Sequence, residues 1–151
     1  MRLKVFVLAV VVGVVLSCGG DVKKEEKISI PKEAVEETSP MDDKGIGPIT
    51  SITLDEIDET MVAEGEIIFK AKCSACHKIT KRFVGPAMRD VTERRSPEWI
   101  MNMILNPEEM VEKNPIAKQL LAEYLAPMAN QNLTEKEARL ILEYFRTKTT
   151  K

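Results

Sequence analysis

One histidine, His77, and three cysteines are all that this 151-residue chain offers of the side chains that most often hold metals or cross-link small folds. A multi-disulfide framework is therefore excluded, as is any site needing two histidines from the same chain. Aromatic residues make up 5% of the sequence, a thin supply for a self-sufficient core. A formal net charge of −2, from 22 basic and 24 acidic side chains, provides no overall positive field for nucleic acid. The longest apolar run, Val5 to Leu16, falls well short of the roughly 20 residues a membrane-spanning helix requires. The length suits one modest domain and rules out a large multidomain enzyme.

The amino terminus reads as an export signal over residues 1–17: Arg2 and Lys4, the apolar run, then Ser17-Cys18. Val15-Leu16-Ser17-Cys18 resembles a bacterial lipobox. This implies diacylation of Cys18 and a mature chain that begins there and is tethered to a membrane by lipid. The alternative is ordinary signal cleavage, with Cys18 left as a thiol or discarded. Residues 18–44 are charged and poor in large apolar side chains, which predicts a flexible acidic tether with a root-mean-square reach of about 28 Å. Residues 45–58, Gly45-Ile46-Gly47-Pro48 and onward, suggest an extended arm on the domain surface.

Charge divides along the chain. Residues 18–64 carry 5 basic and 13 acidic groups, whereas Gly65 to Lys151 carry 15 and 11. An acidic leader on a mildly basic domain is hidden inside the near-neutral total.

The remainder, residues 59–151, predicts an all-α domain of about four to five helices. A first helix over about 60–72 places Val62, Phe69 and Ile68 at helical spacings and runs into Cys73. Ser96-Pro97-Glu98 supplies a cap, a first-position proline and a first-turn acid for a second. Asn106-Pro107 ends it and begins another turn. Asn114-Pro115 opens a helix that Pro127 terminates, and Thr134-Glu135-Lys136-Glu137 is a capping box before a stripe of Ala138, Ile141, Leu142 and Phe145. Neither β-α-β alternation nor an internal repeat is present.

Cys73-Ser74-Ala75-Cys76-His77 has the C-x-x-C-H spacing of c-type haem attachment. Two thiols two residues apart match two haem vinyl groups, and the adjacent imidazole matches the iron. Three other readings compete for the same residues. Zinc would need a carboxylate beside Cys73, Cys76 and His77 to complete four ligands. A redox dithiol normally accompanies a β-α-β pattern, and in an oxidising compartment the pair could be a structural disulfide. With haem bound, bis-histidine ligation is impossible, which leaves methionine, lysine, water or an open position opposite His77.

Gly65 to Lys151 resembles a class I monohaem c-type cytochrome of the bacterial lipoprotein kind. The resemblance rests on the pentapeptide, on Gly65 and Phe69 ahead of it, on Val84-Gly85-Pro86 after it, and on Tyr144 in the last helix. It implies one haem c bound covalently through Cys73 and Cys76. It also implies a crossing of terminal helices at Gly65, Phe69 and Tyr144 or Phe145, and a Pro86 carbonyl that accepts from His77 Nδ1. Among eight methionines, Met128 follows Pro127 where the family places its ligand loop, so the resemblance assigns His77 and Met128 as the iron ligands, with Asn130 placed to orient the sulfur. Trp99, Arg94 and Arg95 are candidate haem-propionate partners. Lys70, Lys72, Lys78, Lys81 and Arg82 predict a basic ring around the haem edge that steers acidic partners.

The expected role is a non-enzymatic carrier of single electrons between respiratory complexes, from an upstream donor to a terminal reductase or oxidase. It would be anchored by Cys18 on the periplasmic or extracytoplasmic side, without nucleic-acid partners. Arg89 to Trp99 also resembles small lipoprotein cytochromes associated with nitrous-oxide reduction. The alternative is a haem protein with an open sixth site acting as an enzyme or gas sensor, for which no second histidine exists to serve as a distal base.

Overall fold

A computed structural model describes residues 39–150. The signal at residues 1–17, Cys18 and the tether up to residue 38 lie outside the described residues. Six α-helices and no strand occur among the described residues: α1 Glu59–Ile68, α2 Val91–Arg94, α3 Pro97–Leu105, α4 Pro107–Lys113, α5 Pro115–Tyr124 and α6 Glu135–Arg146. The all-α expectation holds. Its four to five helices become six because Val91–Arg94 forms a single turn of its own and Asn106-Pro107 opens a full seven-residue helix.

Local chemistry sets the helix starts. Asp58 Oδ1 accepts from the amides of Thr60 and Met61, and Ser96 Oγ accepts from Trp99 N. Asn114 Oδ1 accepts from Ala117 N at 3.0 Å. In the capping box, Glu137 N donates to Thr134 Oγ1 while Thr134 N donates to Glu137 Oε2. Each cap satisfies amides that the helix itself leaves without partners. α5 stops at Leu125, whose backbone is left-handed, two residues before the proline expected to end it.

α1 does not continue as an α-helix to residue 72. Phe69–Cys73 forms a π-turn, closed by Ser74 N donating to Phe69 O at 3.0 Å, and this wider turn hands the chain to the cysteines.

α1 crosses α6 closely at Gly65. A Cβ on Gly65 would lie 2.0 Å from Leu140 O, so only glycine permits this separation. One turn on, Phe69 packs against Tyr144 and Phe145 with ring centroids 5.5 and 5.6 Å apart. All three rings are buried. These are the residues expected to make the crossing.

Behind α6, Glu143 is fully buried, yet its carboxylate receives Arg139, Arg146 at 2.7 Å and the amide of Asp58 at 3.2 Å. Burial pushes this carboxyl up, but the two guanidinium groups and the amide outweigh it and hold it below the ordinary glutamate range.

Residues 43–58 are irregular and lie along the helices. Asn102, buried in α3, donates to Lys44 O and Ile49 O and accepts from Ile49 N, all at 2.9 Å. Ser96 Oγ donates to Asp43 O, Asn114 Nδ2 donates to Asp43 Oδ2 at 2.7 Å, and Arg146 donates to Asp55 O. Asp43 and Lys44, grouped with the tether by composition, are thus fastened to the helical domain. Two buried asparagines hold what the arm's own sequence only suggests.

Candidate haem site

A cavity of about 390 Å³ opens beside the end of the π-turn. Cys73, Cys76 and His77 line one side, and Val84, Gly85 and Pro86 continue that side in the following loop. Trp99, Ile100, Met103 and Ile104 of α3 enter from another direction, as do Leu120, Leu121 and Tyr124 of α5. Pro127, Met128 and Ala129 close it from the irregular segment before α6, and Ile141 and Phe145 of α6 form part of the wall. The lining is overwhelmingly apolar, as a hydrophobic macrocycle needs.

His77 is held from two sides. Its Nδ1 lies 3.1 Å from Pro86 O and, as the donor, leaves Nε2 with a free lone pair. A Cβ on Gly85 would lie 2.5 Å from His77 Cε1, so the loop backbone approaches the ring as closely as a side-chain-free residue allows. Gly85 N in turn donates to Cys76 O at 2.9 Å, which closes the loop onto the motif. Burial lowers the His77 pKa and the Pro86 carbonyl opposes it; the net shift favours the neutral ring that a metal requires.

Cys73 and Cys76 are both free thiols. Burial, aided by the neighbouring Cys76, pushes the Cys73 thiol up to about 11, so it stays protonated at neutral pH. Among the described residues no three or more His, Cys, Asp or Glu side chains converge on a metal-sized site, which leaves the zinc reading without a geometry.

The methionines sort by position. Met128 is half-buried on the cavity, reached from a chain segment remote from His77. Met88 and Met103 also line it. Met110 is fully buried elsewhere, and its sulfur accepts from Ile46 N at 2.9 Å. Asn130 does not reach toward Met128: its amide oxygen accepts from Asn132 N at 2.8 Å and its nitrogen faces Glu108.

Arg94, Arg95 and Trp99 all line the cavity, but they differ in what they can donate. The buried Trp99 gives its indole N–H to Asn114 Oδ1 at 3.3 Å and forms part of the wall. Arg94 gives one N–H to Ala87 O, and Arg95 lies 5.3 Å over the Trp99 ring. Burial, then Arg94, lower the Arg95 pKa and Asp43 raises it; a guanidinium remains charged regardless. Neither arginine has an ion pair among the described residues. Two cations without ion pairs on an apolar cavity, with paired thiols and an oriented imidazole, fit a haem with its propionates.

The family model for cytochrome c matches residues 62–149. The chain belongs to the cytochrome c family. A cytochrome c from Rhodothermus marinus is 47% identical, with a TM-score of 0.66, over 67% of this chain and 88% of that one. An engineered cytochrome c from the same organism, bound to a carbene intermediate, is also 47% identical, with a TM-score of 0.63 over 67% and 88%. The cytochrome c domain of a Pseudomonas putida protein is 30% identical, with a TM-score of 0.51 over 55% and 85%. No curated protein matches the chain.

The cytochrome is thus a class I monohaem c-type protein whose cofactor is one covalently bound haem c, for which Cys73 and Cys76 are the motif cysteines. Electron transfer with redox partner proteins is the family's general role, typically on the extracytoplasmic side. No helix among the described residues is long and apolar enough to cross a membrane. The basic cluster near the motif is partly spent internally. Lys70 pairs with Glu66 at 2.8 Å, Lys78 donates to Ser74 O at 2.6 Å, and Arg82 pairs with Glu123 at 3.0 Å. Lys72 and Lys81 have no ion pair among the described residues.

Proposed function

We propose that this cytochrome is an exported carrier of single electrons, lipid-anchored through Cys18, that runs between an upstream respiratory donor and a terminal reductase or oxidase. Haem c supplies the one-electron couple when bound. Cys73 and Cys76 would fix the group to the chain, and His77 and Met128 would hold its iron. Pro86 sets the imidazole's orientation, and Arg94 and Arg95 would neutralise the propionates. The apolar walls from α3, α5 and α6 keep water away from the cofactor.

The observation that carries this reading is that His77 and Met128 line one cavity from segments about 50 residues apart in sequence, with both motif thiols on the same wall. Cys18 and the acidic leader support the anchoring from sequence alone.

The ligand assignment is tested by absorption spectroscopy of the haem-loaded protein. Met128→Ala is expected to abolish the weak ferric band of methionine-sulfur ligation, while Met103→Ala, on the same cavity, leaves it intact. The reverse pattern would move the ligand to α3.

A further inference from the structure

We infer that Asp43, on the segment ahead of the helical domain, is a positioning residue for the haem pocket: it orients Asn114, which holds the Trp99 wall, and it offsets the charge of Arg95 at the same wall. The inference rests on the electron-carrier reading and deepens it, because its consequence is that this segment sets part of the reduction potential.

Asp43 joins two helix starts at once. Its carbonyl accepts from Ser96 Oγ at 2.6 Å, and Ser96 caps α3. Its Oδ2 accepts from Asn114 Nδ2 at 2.7 Å, and Asn114 caps α5. Its Oδ1 accepts from Gly45 N at 2.8 Å, which fixes the carboxylate against its own turn of backbone. Ser96 and Asn114 are both buried, so their polar atoms depend on such partners.

The direction of these bonds is decisive. A carboxylate only accepts, so the end of the Asn114 amide that faces Asp43 is its nitrogen. The amide oxygen is thereby turned inward, where it accepts from Trp99 Nε1 at 3.3 Å and from Ala117 N at 3.0 Å. With the amide reversed, its nitrogen would face two N–H donors and leave both without a partner in a buried place. Trp99 lines the haem cavity, so an acid outside the helices fixes part of the cavity wall. Fastening the segment does not by itself call for an acid, since Asn102 already holds it through three bonds to the backbone of Lys44 and Ile49.

The charge acts at the same wall. Arg95 directly precedes Ser96, lines the cavity and lies 5.3 Å over the Trp99 ring. Burial and Arg94 work against its positive charge, and Asp43 supports it. Ferric haem carries one more positive charge than ferrous haem, so a carboxylate fixed at this wall favours the ferric state and lowers the potential.

The test uses the haem-loaded full chain carrying Cys18→Ser and labelled with nitrogen-15. Trp99 is the single tryptophan, so the diamagnetic ferrous protein gives one indole N–H signal, whose hydrogen exchange reads the bond to Asn114. Asp43→Asn should speed that exchange about tenfold. It should also raise the ferrous-to-ferric ratio at a fixed poise about threefold, or about 28 mV at about 59 mV per tenfold. Adding Asn114→Asp swaps the two side chains: the amide at position 43 then donates to a carboxylate at position 114, which still accepts from Trp99 and Ala117. The swapped pair should recover wild-type exchange and return the potential to the wild-type value or below. Asp42→Asn removes the same charge from the exposed neighbouring residue. It should leave the exchange unchanged and move the ratio less than about half as far, because solvent screens that charge.

Wild-type exchange and potential in Asp43→Asn would overturn the inference. Equal shifts of potential in Asp43→Asn and Asp42→Asn, with exchange unmoved, would also overturn it, since only net charge would then matter. Fast exchange that the swapped pair fails to recover would assign the effect to general loosening, again against the inference. If Asp43→Asn alone fails to load haem, the swapped pair decides by the same criterion. Irreversible reduction of the wild-type protein would instead sink the carrier reading, and the exchange rates, read in the ferrous state, would still decide the role of Asp43.

Discussion

Replacing Gly65 with alanine adds one methyl group at the crossing of α1 and α6. Its Cβ would stand 2.0 Å from Leu140 O, where ordinary van der Waals contact begins at 3.4 Å. The obstructing atom is a backbone carbonyl and cannot rotate aside, so the helices must separate by more than an ångström. Separation loosens Phe69 from Tyr144 and Phe145, the aromatic cluster beside it. Overpacking of this kind costs about 1–3 kcal/mol, and a clash with backbone belongs at the upper end. Alanine recovers about 1 kcal/mol through its better helix propensity. The net loss is about 2 kcal/mol, which lowers the melting temperature of a domain of this size by about 8–10 °C. Thermal unfolding of the haem-loaded protein, followed by far-ultraviolet circular dichroism, measures it. If Gly65→Ala melts at or above the wild-type temperature, the close crossing is not a determinant of the fold.

Gly85→Ala directs a methyl group to within 2.5 Å of His77 Cε1 and should tilt the imidazole away from Pro86 O, weakening a hydrogen bond worth about 1 kcal/mol. Covalent attachment should survive while the reduction potential rises, because a weaker bond at Nδ1 leaves the imidazole a poorer donor; an unchanged potential would contradict the seat described for His77. The carboxyl of Glu143 is held below the ordinary value in the folded chain, so its contribution is complete above the unfolded value of about 4.3 and is lost as pH falls through the folded one. Glu143→Gln should therefore lower stability at neutral pH by about 2 kcal/mol and flatten the dependence below about pH 4, as read by denaturant titrations at pH 7 and pH 3.5.

Local signals carried most of what was legible from sequence. C-x-x-C-H is contiguous, and the Ser96-Pro97, Asn114-Pro115 and Thr134/Glu137 starts each act within three residues, so each could be read without knowing the fold. The helix crossing was legible because Gly65 and the aromatics carry a family pattern. What escaped depends on partners far apart in the chain. Asn102 meets Ile49 across 53 residues, Asn114 meets Asp43 across 71, and Glu143 meets Asp58 N across 85. A polar side chain gives no local indication that it will be buried and satisfied by a distant segment. The Trp99 N–H likewise meets Asn114, the cap of the next helix but one. The π-turn at Phe69–Cys73 escaped because its residues share the periodicity of the helix they extend. The arm at residues 45–58 reads as lying on the domain surface, but the buried asparagines that fasten it, and Asp43 and Lys44 before it, are not visible in its own composition.

With His77 and Met128 both on the iron, as proposed, the haem would leave no open position and would suit electrons rather than substrates. Carbon monoxide added to the fully reduced, haem-loaded protein at neutral pH tests it most directly, because the gas binds wherever a coordination position is open. No change in the reduced spectrum over minutes is expected, with a reversible one-electron titration of the same sample. Rapid formation of a carbon monoxide complex in the native protein would contradict it and put the open-site enzyme or gas-sensor reading in its place.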